Sequence, residues 1–281
     1  MPFAISFCVK LRFLRIFSSV SPIILYLRIY RFVYFARLLH FLIILDIKEE
    51  MSMIFLGIVL LGAVLFLIVS DWLFLKKDVT KIERLKIYKD TIVIQWSILL
   101  IICIVWLVSD FSWKELFTID SGNSEEYSSS FIAGFLTSVI IGALLFVFIM
   151  NWRAKKGDSK NLVVGNIDFL LPQTKKERLA FIFVAATAGI CEEIVFRGAM
   201  AVFLFGLPFE FSLGTVAIIS AVIFGIAHFY QGAKGILGTG LFGYIIFKIY
   251  MASGSLLVPI IIHFIVDLKF VLTPNGKVNL K

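Results

Sequence analysis

Residues 53–75, with the sequence MIFLGIVLLGAVLFLIVSDWLFL, decide the fold of this chain. Asp71 is the one charged side chain in this stretch, and it lies near the end. A helix rises about 1.5 Å per residue, so a helix of this length crosses a hydrocarbon core of about 30 Å. The stretch therefore predicts a transmembrane helix.

Further apolar runs recur along the chain and predict further spans. They lie at 91–109, 131–150, 179–207, 212–230, 235–251 and 255–272. The 281 residues are 60% hydrophobic and only 16% charged, whereas a soluble domain is nearer half apolar and a quarter charged. We therefore predict an all-α fold, a polytopic transmembrane helical bundle of roughly seven to eight spans.

The first fifty residues are less regular than these runs. Segment 1–50 mixes large apolar side chains with basic ones, which indicates a basic interfacial helix or one poor span at 29–45. A translation start at Met51 or Met53 would equally explain the segment, because a cleaner membrane protein begins there. Charges interrupt every candidate signal-peptide core, so a cleaved signal peptide fits badly.

The distribution of charge predicts the orientation of the spans. Loops 76–90 and 151–178 are rich in Lys and Arg, whereas loop 110–130 holds one Lys and several acids. Basic loops stay in the cytoplasm, so we expect the two basic loops inside and the acidic loop outside. The net charge of +8 lies in loops that flank spans. This pattern favours the lipid bilayer as a partner and argues against nucleic acid.

The later spans contain ionisable side chains, which are costly in hydrocarbon and mark functional sites by default. They are Glu192, Glu193, Arg197, His228, His263 and Asp267. Glu193 and Arg197 are four residues apart with the acid first, so we expect an ion pair. Glu192 points about 100° away around the helix, which leaves it free to act as a general base.

Each of the two late histidines lies four residues from another residue that the sequence singles out. His228 follows Phe224 by four residues and Asp267 follows His263 by four, so each pair shares a helix face. The second pair suits two ligands of one metal or a histidine oriented by a carboxylate. A polar network that only holds helices together, or an ion pathway, stays open as an alternative.

Motifs that are familiar from soluble proteins are either absent or lie in an unsuitable structural context. Residues 238–243 spell GxGxxG, but they lie in a span, where glycine lets helices approach closely, and not after a strand. The sequence contains no HExxH. Cys8, Cys103 and Cys191 form no CxxC, so neither a disulfide framework nor a zinc–thiolate site is indicated.

Three motifs in order resemble the CPBP intramembrane proteases, which include the type II CAAX prenyl endopeptidases and the bacterial Abi proteins. The family pattern is EExxxR, then FxxxH, then HxxxN or HxxxD. Here residues 192–197 read EEIVFR, 224–228 read FGIAH and 263–267 read HFIVD. The stretch 254–259, GSLLVP, is similar to the family's approach to its last motif. The resemblance covers about residues 170–272.

The resemblance implies an intramembrane endopeptidase that cuts a peptide bond near the membrane surface. It implies that Glu192 and His228 activate the hydrolytic water, and that His263 and Asp267 stabilise the oxyanion or bind a metal. The supporting side chains would be Glu193, Arg197 and Phe224. Some members carry Asn at the last position, and an ionised Asp cannot donate a hydrogen bond to an oxyanion. Asp267 therefore favours zinc as cofactor, with Glu192, His228, His263 and Asp267 as candidate ligands, although ligation competes with the role of Glu192 as base.

The pattern divides the chain into four regions. They are the basic segment at 1–50, transmembrane helices with basic loops at 51–170, a CPBP-like protease core at 171–272 and a tail at 273–281.

The richness in Ile, Phe and Lys is typical of a low-GC bacterium and predicts a multi-pass protein of the plasma membrane. The expected substrate is a peptide or lipidated peptide, in bacteriocin processing or immunity. A non-catalytic immunity protein or scaffold is the alternative. An ion-coupled transporter fits less well, because inverted repeats are not seen in the sequence.

Overall fold

The computed structural model describes residues 49–76, 83–109, 111–119 and 167–272, with scattered helical positions between 134 and 152. Most of these residues are helical, and they contain no strand apart from one isolated bridge between Thr118 and Ser255. The all-α prediction is confirmed for this part of the chain. The predicted segment at 1–50, apart from its last residues, the tail at 273–281 and about half of the predicted span at 131–150 lie outside it.

The helices follow the apolar runs of the sequence. The α-helices are α1 Glu49–Leu75, α2 Arg84–Val108, α3 Trp113–Phe117, α4 Lys175–Glu193, α5 Met200–Phe205, α6 Leu213–Ala227, α7 Gly232–Ser253 and α8 Leu257–Leu272. A π-helix, Ile194–Ala199, continues α4 into α5, and a 3-10 turn, Phe229–Gln231, leads from α6 into α7.

Four helical stretches are long and apolar enough to cross a membrane. Within the described ranges they are Met51–Leu75, Arg84–Val108, Lys175–Phe205 and Phe229–Ser253. Helices α6 and α8 have 15 and 16 residues, which gives lengths of about 22 and 24 Å. The chain is therefore a helical membrane protein, and the number of seven to eight spans stays a prediction.

The N-terminal ends of α2 and α4 pack together. Helix α4 begins at Lys175, shortly after Pro172, where Thr174 and Glu177 form a capping box. Helix α2 starts at Arg84, so the prediction of a loop over the whole of 76–90 was wrong. The physical reason is that Tyr88 is buried against α4, and its hydroxyl donates to the carbonyl of Leu170 at 2.7 Å.

The acidic loop folds onto the late helices. Leu116 of α3 is fully buried, and a Cβ on Gly198 would stand 2.5 Å from the carbonyl oxygen of Leu116. Thr118 pairs with Ser255, just before α8. The predicted loop at 110–130 thus includes a packed segment that contacts the π-helix and the start of α8.

Glycines allow the late helices to pack at backbone distance. A Cβ on Gly189 of α4 would lie 3.0 Å from the carbonyl oxygen of Ile260 on α8. A Cβ on Gly225 of α6 would lie 2.7 Å from the carbonyl oxygen of Ile236 and 3.1 Å from Cα of Gly240, both on α7. The predicted packing role of the glycines at 238–243 is thus confirmed for Gly240. These contacts set the spacing of the helices that carry the polar side chains.

Candidate active site

The late motifs converge at one place, although they come from three parts of the chain. Oε2 of Glu192, in the last turn of α4, lies 3.7 Å from Nε2 of His228 and 4.0 Å from Nε2 of His263. Oδ2 of Asp267 lies 3.7 Å from the same His263 nitrogen. The structure therefore brings together the four residues that the sequence singles out for catalysis.

Both imidazoles are fixed by their other nitrogen. Nδ1 of His228 lies 2.8 Å from the carbonyl oxygen of Phe224, and Nδ1 of His263 lies 2.7 Å from Oε1 of Glu193. Carbonyl and carboxylate oxygens accept, so each Nδ1 donates. In the neutral rings, both Nε2 atoms then present lone pairs towards Glu192.

The free oxygen of Glu192 completes this arrangement. Within the described part of the chain, Oε2 of Glu192 is buried and has no hydrogen-bond partner. Its separations of 3.7 and 4.0 Å from the two imidazoles exceed a direct hydrogen bond. Such separations are typical of polar groups that share a bridging water. A water placed among these three atoms can donate one hydrogen bond to the carboxylate of Glu192 and one to an imidazole.

A buried ionic network lies behind this cluster. Glu193 and Arg197 form the predicted ion pair at 3.1 Å, with side chains 0% and 1% exposed. The guanidinium also lies over the ring of Phe224, 4.3 Å from its centroid. Spacing suggests Asp267 as the carboxylate that could orient His263, whereas the structure gives the Nδ1 partner as Glu193. That contact joins residues 70 positions apart, so no local pattern could predict it.

The π-helix ties this network to α6. The N–H of Met200 bonds to the carbonyl of Val195, five residues back. The carbonyl of Phe196 accepts from the hydroxyl of Ser220, on α6, at 2.6 Å. Single π turns are frequent at functional sites. No residue pattern in the sequence predicted this one.

His228 lies just past the end of α6. The sequence places it inside a span at 212–230, but α6 ends at Ala227 and His228 is its C-cap. Helix α7 begins at Gly232, whose φ of +74° suits glycine. The side chain of His228 is 14% exposed and that of Glu192 is 13% exposed, while Asp267 reaches 24%. The cluster is therefore accessible on the side away from Glu193 and Arg197.

Sequence reasoning missed Gln95 on α2. Its Nε2 donates to Oε1 of Glu192 at 2.6 Å. The neighbouring Trp96 donates from Nε1 to the hydroxyl of Thr187 on α4 at 3.1 Å. A lone amide in the apolar run 91–109 was the available signal. The prediction that the site residues come from the later spans was therefore incomplete.

Zinc is the predicted cofactor, and these side chains offer the nitrogen and oxygen ligands that zinc takes. Ligands about 2.0–2.1 Å from a tetrahedral zinc stand about 3.3 Å apart, whereas the separations here are 3.7, 4.0 and 3.7 Å. Among the residues that the structure describes, no group of three or more His, Cys, Asp and Glu is arranged to hold a metal ion. The present arrangement does not fit a zinc centre, and zinc stays a prediction.

Apolar helices surround a cluster of carboxylates and imidazoles in this protein. It therefore belongs to the class of membrane proteins that have a polar site among their apolar helices. Residues 174–268 match the family model described as type II CAAX prenyl endopeptidase Rce1-like. All three late motifs fall within the matched residues, and the match confirms their resemblance to the CPBP proteases. No curated protein and no solved structure matches the chain. At the level of the family, the match indicates a membrane protease with a peptide substrate.

Proposed function

We propose that this protein is an intramembrane endopeptidase that hydrolyses a peptide bond near the membrane surface. The observation that carries the proposal is the convergence of Glu192 Oε2 with Nε2 of His228 and of His263. A carboxylate and an imidazole that share one water are the groups that general-base hydrolysis needs. The match of residues 174–268 supports the same class of reaction.

The reaction begins with the water between Glu192 and His228. Glu192 takes one proton as the water oxygen bonds to the amide carbon, and His228 accepts the second hydrogen bond and orients the attack. The carbonyl oxygen becomes an oxyanion, to which His263 donates when its Nε2 is protonated. Glu192 then passes its proton to the amide nitrogen as the C–N bond breaks. The products are a carboxylic acid and an amine.

The remaining polar residues hold this machinery in place. Glu193 fixes the ring of His263 through Nδ1, and Arg197 balances the charge of Glu193. Asp267, on the more exposed side, accepts a hydrogen bond from the substrate backbone, because an ionised carboxylate cannot donate. Its neighbour His263 remains the donor to the oxyanion.

The proposed substrate is a peptide that reaches the site from the membrane surface. The type II CAAX resemblance favours a lipidated peptide, and the Abi resemblance favours processing or immunity for a secreted peptide. We place the protein in a bacterial plasma membrane, where it crosses the bilayer several times. The second candidate is a non-catalytic immunity protein or scaffold, which the buried Glu193, Arg197 and His263 network favours.

Mass spectrometry of cleavage products tests the proposal. Wild type and Glu192→Gln are purified in lipid nanodiscs and incubated with a prenylated CAAX-type peptide and with a library of unlipidated peptides. We expect cleavage by wild type and a loss of about 10²–10⁴-fold in Glu192→Gln, the range for general-base catalysis. Glu210→Gln, an exposed carboxylate between α5 and α6, is the control and should cleave like wild type.

Two results contradict the proposal. Wild type that cuts none of these peptides would favour the scaffold, whereas Glu192→Gln with undiminished cleavage would show that Glu192 is not the general base. Metal analysis of the same wild-type sample tests the zinc prediction separately, because a required ion would be present at about one per chain and its removal would stop cleavage.

A further inference from the structure

The geometry points to Gln95 as a positioning residue for Glu192. Its amide holds one carboxylate oxygen of Glu192, so that the other oxygen faces the two imidazoles. Because the role is defined by Glu192 as the general base, it rests on the proposed function. Gln95 lies on α2, outside the matched residues 174–268.

The contact has the form of a charge-assisted hydrogen bond. Nε2 of Gln95 lies 2.6 Å from Oε1 of Glu192, and bonds to an ionised acceptor are shorter and stronger than neutral ones. The opposite orientation of the amide would set its carbonyl oxygen against the carboxylate, two acceptors in contact. The chemistry of Glu192 therefore fixes which way the Gln95 amide faces.

The carbonyl oxygen of the Gln95 amide shows that the placement of this side chain is unfavourable for stability. Oε1 of Gln95 is buried and, among the described residues, has no hydrogen-bond partner. An unsatisfied buried acceptor destabilises the folded state, because it loses its hydrogen bonds to water. A side chain placed only to join α2 and α4 would satisfy both ends. The one side-chain hydrogen bond of Gln95 in the described structure is directed at the carboxylate of the proposed base.

The effect on Glu192 is to select one orientation. With Oε1 held by Gln95, Oε2 lies between Nε2 of His228 at 3.7 Å and Nε2 of His263 at 4.0 Å. Without that bond, the carboxyl group can rotate about its last torsion, which has broad wells. A misplacement of about 1 Å at a reacting group costs about 10²-fold in rate.

The adjacent residue provides a matched control. Trp96 bonds to Thr187 across the same α2–α4 interface but does not contact Glu192 in the described hydrogen bonds. Trp96→Phe therefore removes a hydrogen bond between the same helices and leaves the carboxylate held. Gln95→Met has a similar length and removes the donor.

Steady-state kinetics on a peptide that wild type cleaves, such as the prenylated CAAX-type peptide, tests the catalytic role. We expect Gln95→Met to lower kcat about 10- to 100-fold with little change in KM, because ground-state binding does not use Glu192. Trp96→Phe should keep kcat within about twofold. An unchanged kcat in Gln95→Met would overturn the proposal, as would an equal loss in Trp96→Phe.

Thermal unfolding separates this proposal from the proposed function, because it needs no substrate. Gln95→Met should lower Tm when Glu192 is present, and should keep or raise Tm in a Glu192→Met background, where the Gln95 amide has lost its partner. Trp96→Phe should lower Tm by the same amount in both backgrounds. If Gln95→Met has the same effect in both, Gln95 does not hold Glu192 and the inference fails. If this coupling is present but wild type cuts no peptide, the contact stands, while its catalytic role fails together with the proposed function.

Discussion

Two adjacent carboxylates have different surroundings because neighbouring helical positions point about 100° apart. Glu193 points into the closed network with Arg197 and His263 and is fully buried. Glu192 points to Gln95 and to the accessible cluster. Two neighbouring positions on the helix thus hold a structural carboxylate, Glu193, and the proposed base, Glu192.

Substitution of each carboxylate by glutamine tests this division. Glu193→Gln leaves the buried Arg197 without its ionic partner, and breaking a buried pair costs about 3–5 kcal/mol. We therefore expect a clear fall in Tm for Glu193→Gln. Glu192→Gln should keep Tm near the wild-type value and lose cleavage, since an amide side chain still accepts from Gln95. Thermal unfolding in detergent measures both, and the reverse pattern would contradict the assignment.

The part of the site that the sequence predicts is the part set by short spacings. The pair of Glu193 with Arg197, four positions apart, is present as expected. The contacts of Glu193 with His263 and of Glu192 with Gln95 join residues 70 and 97 positions apart. Such contacts depend on how helices pack, and that information is not contained in any local pattern.

At the scale of the elements, the apolar runs predict the helices but not all of their ends. Helix α2 begins before its apolar run because Tyr88 packs on α4. Helix α6 stops at Ala227, one residue before the histidine that the sequence places inside a span. Tertiary contacts and a local turn decide these ends, whereas hydrophobic periodicity decides only that a helix exists.

The close approach of α6 and α7 leads to a prediction about glycine. A methyl group on Gly225 would meet backbone atoms of α7 at 2.7 and 3.1 Å, and backbone cannot move aside as a flexible side chain can. We expect Gly225→Ala to cost about 1–3 kcal/mol through overpacking. It should also lower cleavage, because α6 positions His228.

Gly214 on the same helix is the control for this substitution. The nearest atom to a Cβ there is Oγ of Ser212, at an ordinary 3.7 Å. Gly214→Ala should keep or raise Tm, since alanine is favoured over glycine in a helix by about 1 kcal/mol. Equal changes in Tm for the two variants would mean that the α6–α7 contact is not tight.

At the scale of the whole molecule, the site draws on more than the matched region. Residues 174–268 carry the three motifs, but the donor to Glu192 comes from α2. The acidic loop contributes Leu116, which packs against Gly198 next to Arg197. The three motifs therefore lie only in the late spans, whereas the whole site also uses side chains from the earlier part of the chain.

The same contacts connect the site to the orientation that loop charge predicts. Thr118 of the acidic loop pairs with Ser255 at the start of α8, so that end of α8 faces outside if the loop does. Asp267 lies ten positions after Leu257, about 15 Å further along the helix. Asp267 is also more exposed than His263, at 24% against 5%. The accessible side of the cluster should therefore face the cytoplasm, from which the peptide would approach.

Labelling with a membrane-impermeant maleimide tests this orientation in intact cells. In a variant whose three native cysteines are replaced, Ser124→Cys in the acidic loop should react from outside. Lys156→Cys in the basic loop should react only after the membrane is permeabilised, because basic loops are retained in the cytoplasm. Labelling of Lys156→Cys in intact cells would reverse the orientation of α8. Asp267 would then face the exterior, and a cytoplasmic peptide would have to enter past the buried Glu193 and Arg197 pair, which has side-chain exposures of only 0% and 1%.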